Sequence, residues 1–255
     1  VLMILASTLM ILLIEKNIDL SGGAGVYLTS VIVAILIVKF NVNMYLAIVI
    51  ALLIGVLMGA ANGYFIGYIG LPAFIVTLAA QQIFRGTGYV LTNAATIGPM
   101  PKKFTWISEA YISPLSSVII AILLFIIFTI YNFRKYTKMK NLYGGARQLI
   151  QNILIAGVAT GVAIWIFGGY KGCPMSTVIA MIVAGIMYFI TTKTVYGRQA
   201  YLIGGNIEAA KLAGVRTDKR VFQSYIMQGV IYGIAGIVLT ARLGGAAATG
   251  GNLLE

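Results

Sequence analysis

The sequence predicts an all-α polytopic membrane protein: a bundle of about eight transmembrane helices with one short helix on its cytoplasmic side. Three observations predict it. Of 255 residues, 60% are hydrophobic and only 9% charged, with a mean hydropathy of +0.97, whereas soluble domains carry about 25% charged residues. Apolar runs recur at about 20 residues, the length that crosses a hydrocarbon core of about 30 Å at about 1.5 Å per residue. The 18 Lys and Arg outnumber the 6 Asp and Glu to give a net +12, and they lie mostly in short clusters between the runs, the pattern that orients membrane helices. The lipid bilayer is therefore the expected partner of most of the surface. No nucleic acid is expected, because a basic face of that kind belongs on a water-exposed domain.

The spans follow in order. Val1–Ile14 reads as the tail of one span, and Ile18–Val38 as a second, opened by the polar turn Asp19-Leu20-Ser21-Gly22-Gly23. Tyr45–Ile69 is a third and Pro72–Leu91 a fourth, with Pro72 suited to a first helical turn. A polar stretch, Thr92–Ser113, precedes a fifth span at Pro114–Phe133. Leu149–Phe167 and Met175–Thr191 are a sixth and seventh, joined by Gly168–Pro174, and Val221–Ala241 is an eighth.

Charge orients them. Arg134, Lys135, Lys138, Lys140 and Arg147 crowd one connection; Lys193, Arg198, Lys211, Arg216, Lys219 and Arg220 crowd another, two spans later. Both can then be cytoplasmic. Counting back puts Thr92–Ser113 outside, with Lys102 and Lys103 as exceptions to the bias, and the Glu15-Lys16 turn inside. Glycines at four-residue spacing, Gly55-Gly59-Gly63-Gly67, Gly229-Gly233 and Gly157-Gly161, predict close helix packing, since small residues supply the contact that lipid does not drive.

Catalysis has little to work with. The chain has one cysteine, Cys173, and no histidine, so an internal disulfide, a multi-cysteine metal site and His-based chemistry are excluded. A membrane enzyme would also lack paired in-membrane carboxylates. No enzyme, metal or cofactor site is expected on this chain. It opens at Val1 inside an apolar run and stops at Glu255 after a Gly-rich stretch; the expectation is one transmembrane domain, 1–255, incomplete at both ends.

The connection Lys193–Arg220 is the most informative segment. Asn206 suits an N-cap, Glu208 the positive end of a helix, and Gly214 the C-terminal stop. The frame describes a helix of about two turns, too short to stand alone in water. Ala209, Ala210 and Ala213 would give it a smooth surface for a partner's groove.

The run Gly197-Arg198-Gln199 … Ile203-Gly204-Gly205-Asn206-Ile207-Glu208-Ala209-Ala210-Lys211-Leu212-Ala213-Gly214 resembles the cytoplasmic loop of ribose/xylose/galactose-type permeases of ATP-binding-cassette importers. Asp19-Leu20-Ser21, Gly59-Ala60-Ala61-Asn62-Gly63, Pro72-Ala73-Phe74-Ile75-Val76-Thr77-Leu78, and Ala241-Arg242-Leu243 with the small-residue run to Glu255 are similar to further motifs of that family, in family order. The resemblance implies that the loop holds a coupling helix docking into a separate ATPase subunit. Gly204, Gly205, Asn206, Glu208, Ala209, Ala210, Lys211 and Gly214 are then the docking residues. It also implies a periplasmic or extracellular sugar-binding protein on the outer face at Thr92–Ser113, a second copy of the permease with the route between the copies, and placement in the bacterial inner membrane. The family normally continues with further helices beyond the position of Glu255. The pair of spans between the basic clusters resembles xylose-type members, which implies xylose or a related pentose.

No Gly-x-x-x-x-Gly-Lys-[Ser/Thr] phosphate loop is present, so ATP and Mg²⁺ are expected on the partner subunit. A neutral sugar is held by amides and hydroxyls, and polar groups in apolar spans face cavities or other helices. Asp19, Ser21, Asn62, Thr77, Gln81 and Gln82 are the candidate path residues. Three rivals stand beside this reading: a nucleoside or autoinducer-type importer, an ion-coupled secondary transporter, for which only Asp19 offers a coupling acid, and a membrane enzyme.

Overall fold

The computed structural model describes residues 1–138, 145–169, 171–247 and 250–251. Lys140 of the first basic cluster, Tyr170 of the sixth-to-seventh connection, and 248–249 and 252–255 of the terminal small-residue run lie outside the described residues. The helices are α1 Leu2–Ile14, α2 Gly22–Ala34, α3 Met44–Gly63, α4 Ala73–Thr92, α5 Lys102–Glu109, α6 Pro114–Lys138, α7 Gly145–Gly168, α8 Met175–Lys193, α9 Val195–Gly205, α10 Ile207–Leu212 and α11 Thr217–Leu243. α2 and α3 each run on into a π-helical turn, Ile35–Lys39 and Tyr64–Tyr68. Six helices among the described residues are long and apolar enough to cross a membrane: Gly22–Lys39, Met44–Tyr68, Pro114–Thr137, Ala146–Gly168, Met175–Lys193 and Thr217–Leu243. The expected count of about eight also takes in α1, a shorter apolar helix, and α4, which has 20 residues but carries Gln81, Gln82 and Arg85.

Two compact units divide the chain, Val1–Glu109 with Val178–Glu255, and Ala110–Thr177. In the first, glycines decide where helices meet. A Cβ on Gly55 would strike the carbonyl oxygen of Gly229, one on Gly59 that of Tyr225, one on Gly63 that of Phe222, and one on Gly67 that of Asp218. α3 and α11 are thus in backbone contact at every turn, as the glycine spacing predicts. α2 is buried on all sides, Ile32 excepted, as a helix at the centre of a bundle must be. Its Thr29 hydroxyl donates to the Tyr232 carbonyl at 2.9 Å, and Thr240 donates to the Ser30 hydroxyl at 2.7 Å.

One end of this unit gathers Val31, Ala47, Met100, Phe104 and Ala241 into a core. There Ile97 pairs with Ala246, so the loop after α4 and the turn after α11 share that end. The opposite end holds the Glu15-Lys16 turn, α9, α10 and the start of α11. This is the sorting of loops that the charge count demands.

In the second unit α6 packs along α7. A two-residue ribbon pairs Tyr111 with Pro174 and Ile112 with Cys173, and the Cys173 amide donates to Ser117 Oγ at 3.0 Å. Here the glycine expectation does not hold within the chain. Gly157 makes only ordinary contact with the Phe125 ring, at 3.7 Å, and Gly161 faces open space.

Candidate functional site

The connection between α8 and α11 holds two helices where the sequence suggests one. α9 forms because Thr194 caps it, its hydroxyl accepting from the Gly197 amide at 3.2 Å. Tertiary packing overrides its glycines' poor propensity. Gly197 sits against the Thr191 carbonyl and Gly204 against the Ile14 carbonyl, where a methyl group would collide with either.

α10 follows the predicted frame. The Asn206 side-chain oxygen accepts from the amides of Glu208 at 3.0 Å and Ala209 at 3.1 Å. Glu208 is in the first turn and Lys211 in the last, matching the helix dipole. Gly214 takes φ of +80°, the left-handed region, which glycine enters without a Cβ penalty. The Lys211–Glu208 pair at 3.1 Å is exposed and contributes a few tenths of a kcal/mol at most, about the value of a surface helix pair.

A helix this short must rest on something, and it rests on its own chain. Ala210, only 2% exposed, packs with Ile203 and Val215. Of the predicted docking residues, Gly204 and Ala210 are therefore turned inward, while Gly205, Asn206, Glu208, Ala209, Lys211 and Gly214 are exposed. Leu212, 91% exposed, is the residue the sequence reading passed over. Its signal was a large apolar side chain opposite Ala210 on a short helix whose other bulky apolar residue is Ile207. A cavity of about 640 Å³ opens beside α10, walled by Glu15, Asn17, Phe74, Ile203, Ile207 and Asp218.

The candidate path residues separate into two groups. Asp19, Ser21 and Asn62 come together and are buried. One Asp19 oxygen accepts from the Ser21 amide at 2.9 Å and its hydroxyl at 2.6 Å; the other accepts from the Tyr232 hydroxyl. Asn62 donates its side-chain amide to Ser21 Oγ at 3.0 Å. The cluster ties the start of α2 to α3 and α11. Thr77 donates within α4 to the Ala73 carbonyl at 2.8 Å and lies 3.3 Å from the Ile18 carbonyl. Gln81 is half-buried and Gln82 exposed, so Gln82 is the candidate on an open face. Tyr232 was missed because nothing local marks a tyrosine 213 residues from its aspartate.

The family described as branched-chain amino acid transport system / permease component matches residues 1–254. The xylose transport system permease protein of Haemophilus influenzae is 32% identical over 255 residues, 98% of this chain and 68% of that protein. That of Escherichia coli is 32% identical over 260 residues, covering 99% and 65%. The ribose import permease protein of Bacillus subtilis is 29% identical over 245 residues, covering 95% and 58%. No solved structure matches the chain. The chain spans about two thirds of the length of the xylose permeases it matches. With a match along nearly all its residues and, among the described residues, six helices able to cross a bilayer, this multi-pass membrane protein belongs to the family of branched-chain amino acid transport system permease components.

Proposed function

We propose that the chain is the permease of a binding-protein-dependent importer in the cell inner membrane, moving a monosaccharide into the cytoplasm while a separate subunit hydrolyses ATP. The observation that carries it is α10: a capped helix seated on Ala210 with Leu212 91% exposed beside it. A bare leucine on a water-facing helix is an anchor awaiting a groove. ATP and Mg²⁺ belong to the subunit that supplies the groove, since this chain has no phosphate loop. Xylose or a related pentose is the favoured cargo, because the relatives named for xylose are 32% identical over nearly the whole chain, against 29% for the ribose permease.

On the outer face the sugar-binding protein docks on the loop around α5, where Phe104 is fully buried and Trp106 is 62% exposed. A second copy of the chain completes the route. The exposed side of α4, with Phe74, Leu78 and Gln82, is the surface offered to it.

The test is to tag the permease, recover it with its ATPase subunit, and measure ATP-dependent D-xylose uptake. Leu212→Asp should lower both recovery and uptake by about tenfold or more, the loss expected for a buried apolar anchor. Uptake that stops when the ion gradient is collapsed, with ATP still present, would overturn the reading in favour of an ion-coupled transporter. ATP-dependent uptake of a nucleoside in place of any pentose would keep the mechanism and replace the cargo.

A further inference from the structure

Force on α10 can leave it through α9, because Ala210 packs on Ile203 of that helix and the two are joined at Asn206, and also through Val215 toward α11. α9 in turn meets the body of the first unit along its length, with Ala200 buried in the core, and two of its contacts matter here. At one end Gly204 lies directly on the Ile14 carbonyl. At the other, the Tyr196 hydroxyl hydrogen-bonds Ser224 Oγ on α11, and Ser224 donates to Glu15 Oε1 at 2.8 Å. Ile14 and Glu15 are neighbours, so both contacts end on the turn that closes α1.

That turn is tightly made. Lys16 holds φ of 62°, a left-handed conformation costly for a side-chain-bearing residue, and its amide bonds the Leu13 carbonyl at 3.0 Å while that of Asn17 bonds Leu12 at 2.8 Å. Asp19 stands just beyond it, holding Ser21 and Tyr232, with Asn62 bonded through Ser21. Glu15 is only 5% exposed. Water therefore does not compete for its bonds, and in a low-dielectric interior a connected hydrogen-bond chain is stronger than in water.

We propose that Glu15 is a positioning residue. The chain Tyr196–Ser224–Glu15 transmits displacement of the docking helix to the α1–α2 turn, and Asp19 passes it on to α2, α3 and α11. This rests on the importer reading above and deepens it. Rigid elements joined by discrete contacts move as bodies, and α9 cannot tilt at Gly204 without shifting the Ile14 backbone beneath it.

The charge of Glu15 is not what the relay needs. Burial pushes its carboxyl up to about 7, against the opposing pull of the Ser224 hydrogen bond and the Arg220 guanidinium. Either form keeps an oxygen that accepts from Ser224. A glutamine should then stand in for it, and an alanine should not.

The experiment uses the complete transporter, with its ATPase subunit and sugar-binding protein in proteoliposomes, and reads D-xylose delivered per ATP hydrolysed. Ser224→Ala and Glu15→Ala should lower that ratio about tenfold, the scale of coupling between linked sites, while the ATPase subunit still co-purifies. Glu15→Gln should recover most of it. Tyr196→Phe, which removes one oxygen and leaves the ring, should lower the ratio in the same direction and serves if Ser224→Ala fails to fold. An unchanged ratio in Ser224→Ala and Tyr196→Phe overturns the relay and leaves the importer reading standing, as does equal loss in Glu15→Gln and Glu15→Ala. A wild-type assembly that takes up no sugar with ATP overturns the importer reading and the relay together.

Discussion

The α3–α11 pair and the α6–α7 pair are both apolar helices with glycines four residues apart, yet they use those glycines differently. Between α3 and α11 each glycine faces a backbone carbonyl, Gly55 that of Gly229 and Gly59 that of Tyr225. Between α6 and α7 the facing atoms are the Phe125 ring at Gly157 and nothing at Gly161. Glycine spacing thus announces that a helix can be approached closely. Whether it is approached depends on what the partner presents. Tyr225, Gly229 and Gly233 give α11 a face of aromatic ring and small residues, one per turn, that mates with the groove on α3. The α6 face offers bulky side chains, and side chain on helix holds the two axes apart.

The largest expected effect follows from this contrast. Gly59→Leu places four carbons where the Tyr225 carbonyl and the Gly229 backbone already stand. Neither is the movable end of a side chain, so α3 and α11 must separate along their length. A cost of ~3 kcal/mol or more is expected, at or beyond the upper range for overpacking. It should show as loss of monodisperse protein after extraction from the membrane. Wild-type yield and thermal stability would break the comparison.

Polar contacts sharpen it next. The first unit buries Asp19, Ser21, Asn62 and Tyr232 as one hydrogen-bonded group. Between the helices of the second, the side chains of Asn152 and Asn132 meet at 3.5 Å, at the long limit of a hydrogen bond. Asp19→Ala would leave the Tyr232 and Ser21 hydroxyls, 3.1 Å apart, with only each other, and would leave one hydroxyl proton and the Ser21 amide without an acceptor. Each buried donor so left costs about 1–3 kcal/mol. A drop of about 3 kcal/mol in unfolding free energy is expected, measured by thermal unfolding in detergent. Asp19→Asn, which keeps one acceptor oxygen, should recover part of it. A change under about 1 kcal/mol for Asp19→Ala would mean that these bonds are replaceable by water.

The two regions also differ in how far their chemistry could be read from residues alone. The Asn206 cap, the Gly214 stop and the glycine face of α3 follow from rules acting within a few residues, and each is where the sequence puts it. α9 was not legible. Gly197, Gly204 and Gly205 with Arg198 and Gln199 read as a loop, and the helix exists because Ile14 and Thr191 present carbonyls to two of those glycines. Glu15 followed by Lys16 reads as an exposed turn. Only the fold reveals that Ser224, 209 residues later, covers it. For the candidate site the division is the same: the capped frame of α10 is local and legible, whereas the groups that connect it to the bundle lie far apart in sequence.

Gly161→Leu carries the smallest expected effect and is the cleanest test of the contrast. A Cβ at Gly161 meets no atom within 4 Å, and in a lipid-facing helix added methylenes exchange one apolar neighbour for another. Replacing glycine inside a helix removes its backbone-entropy penalty, a gain of up to ~0.8 kcal/mol. Unfolding temperature in detergent should therefore hold or rise slightly, against the collapse expected of Gly59→Leu. Damage as severe as that of Gly59→Leu would mean that a neighbour does reach the α7 backbone at Gly161. The α6–α7 glycines would then serve an approach from outside that pair, and four-residue glycine spacing would mean close packing in both regions after all.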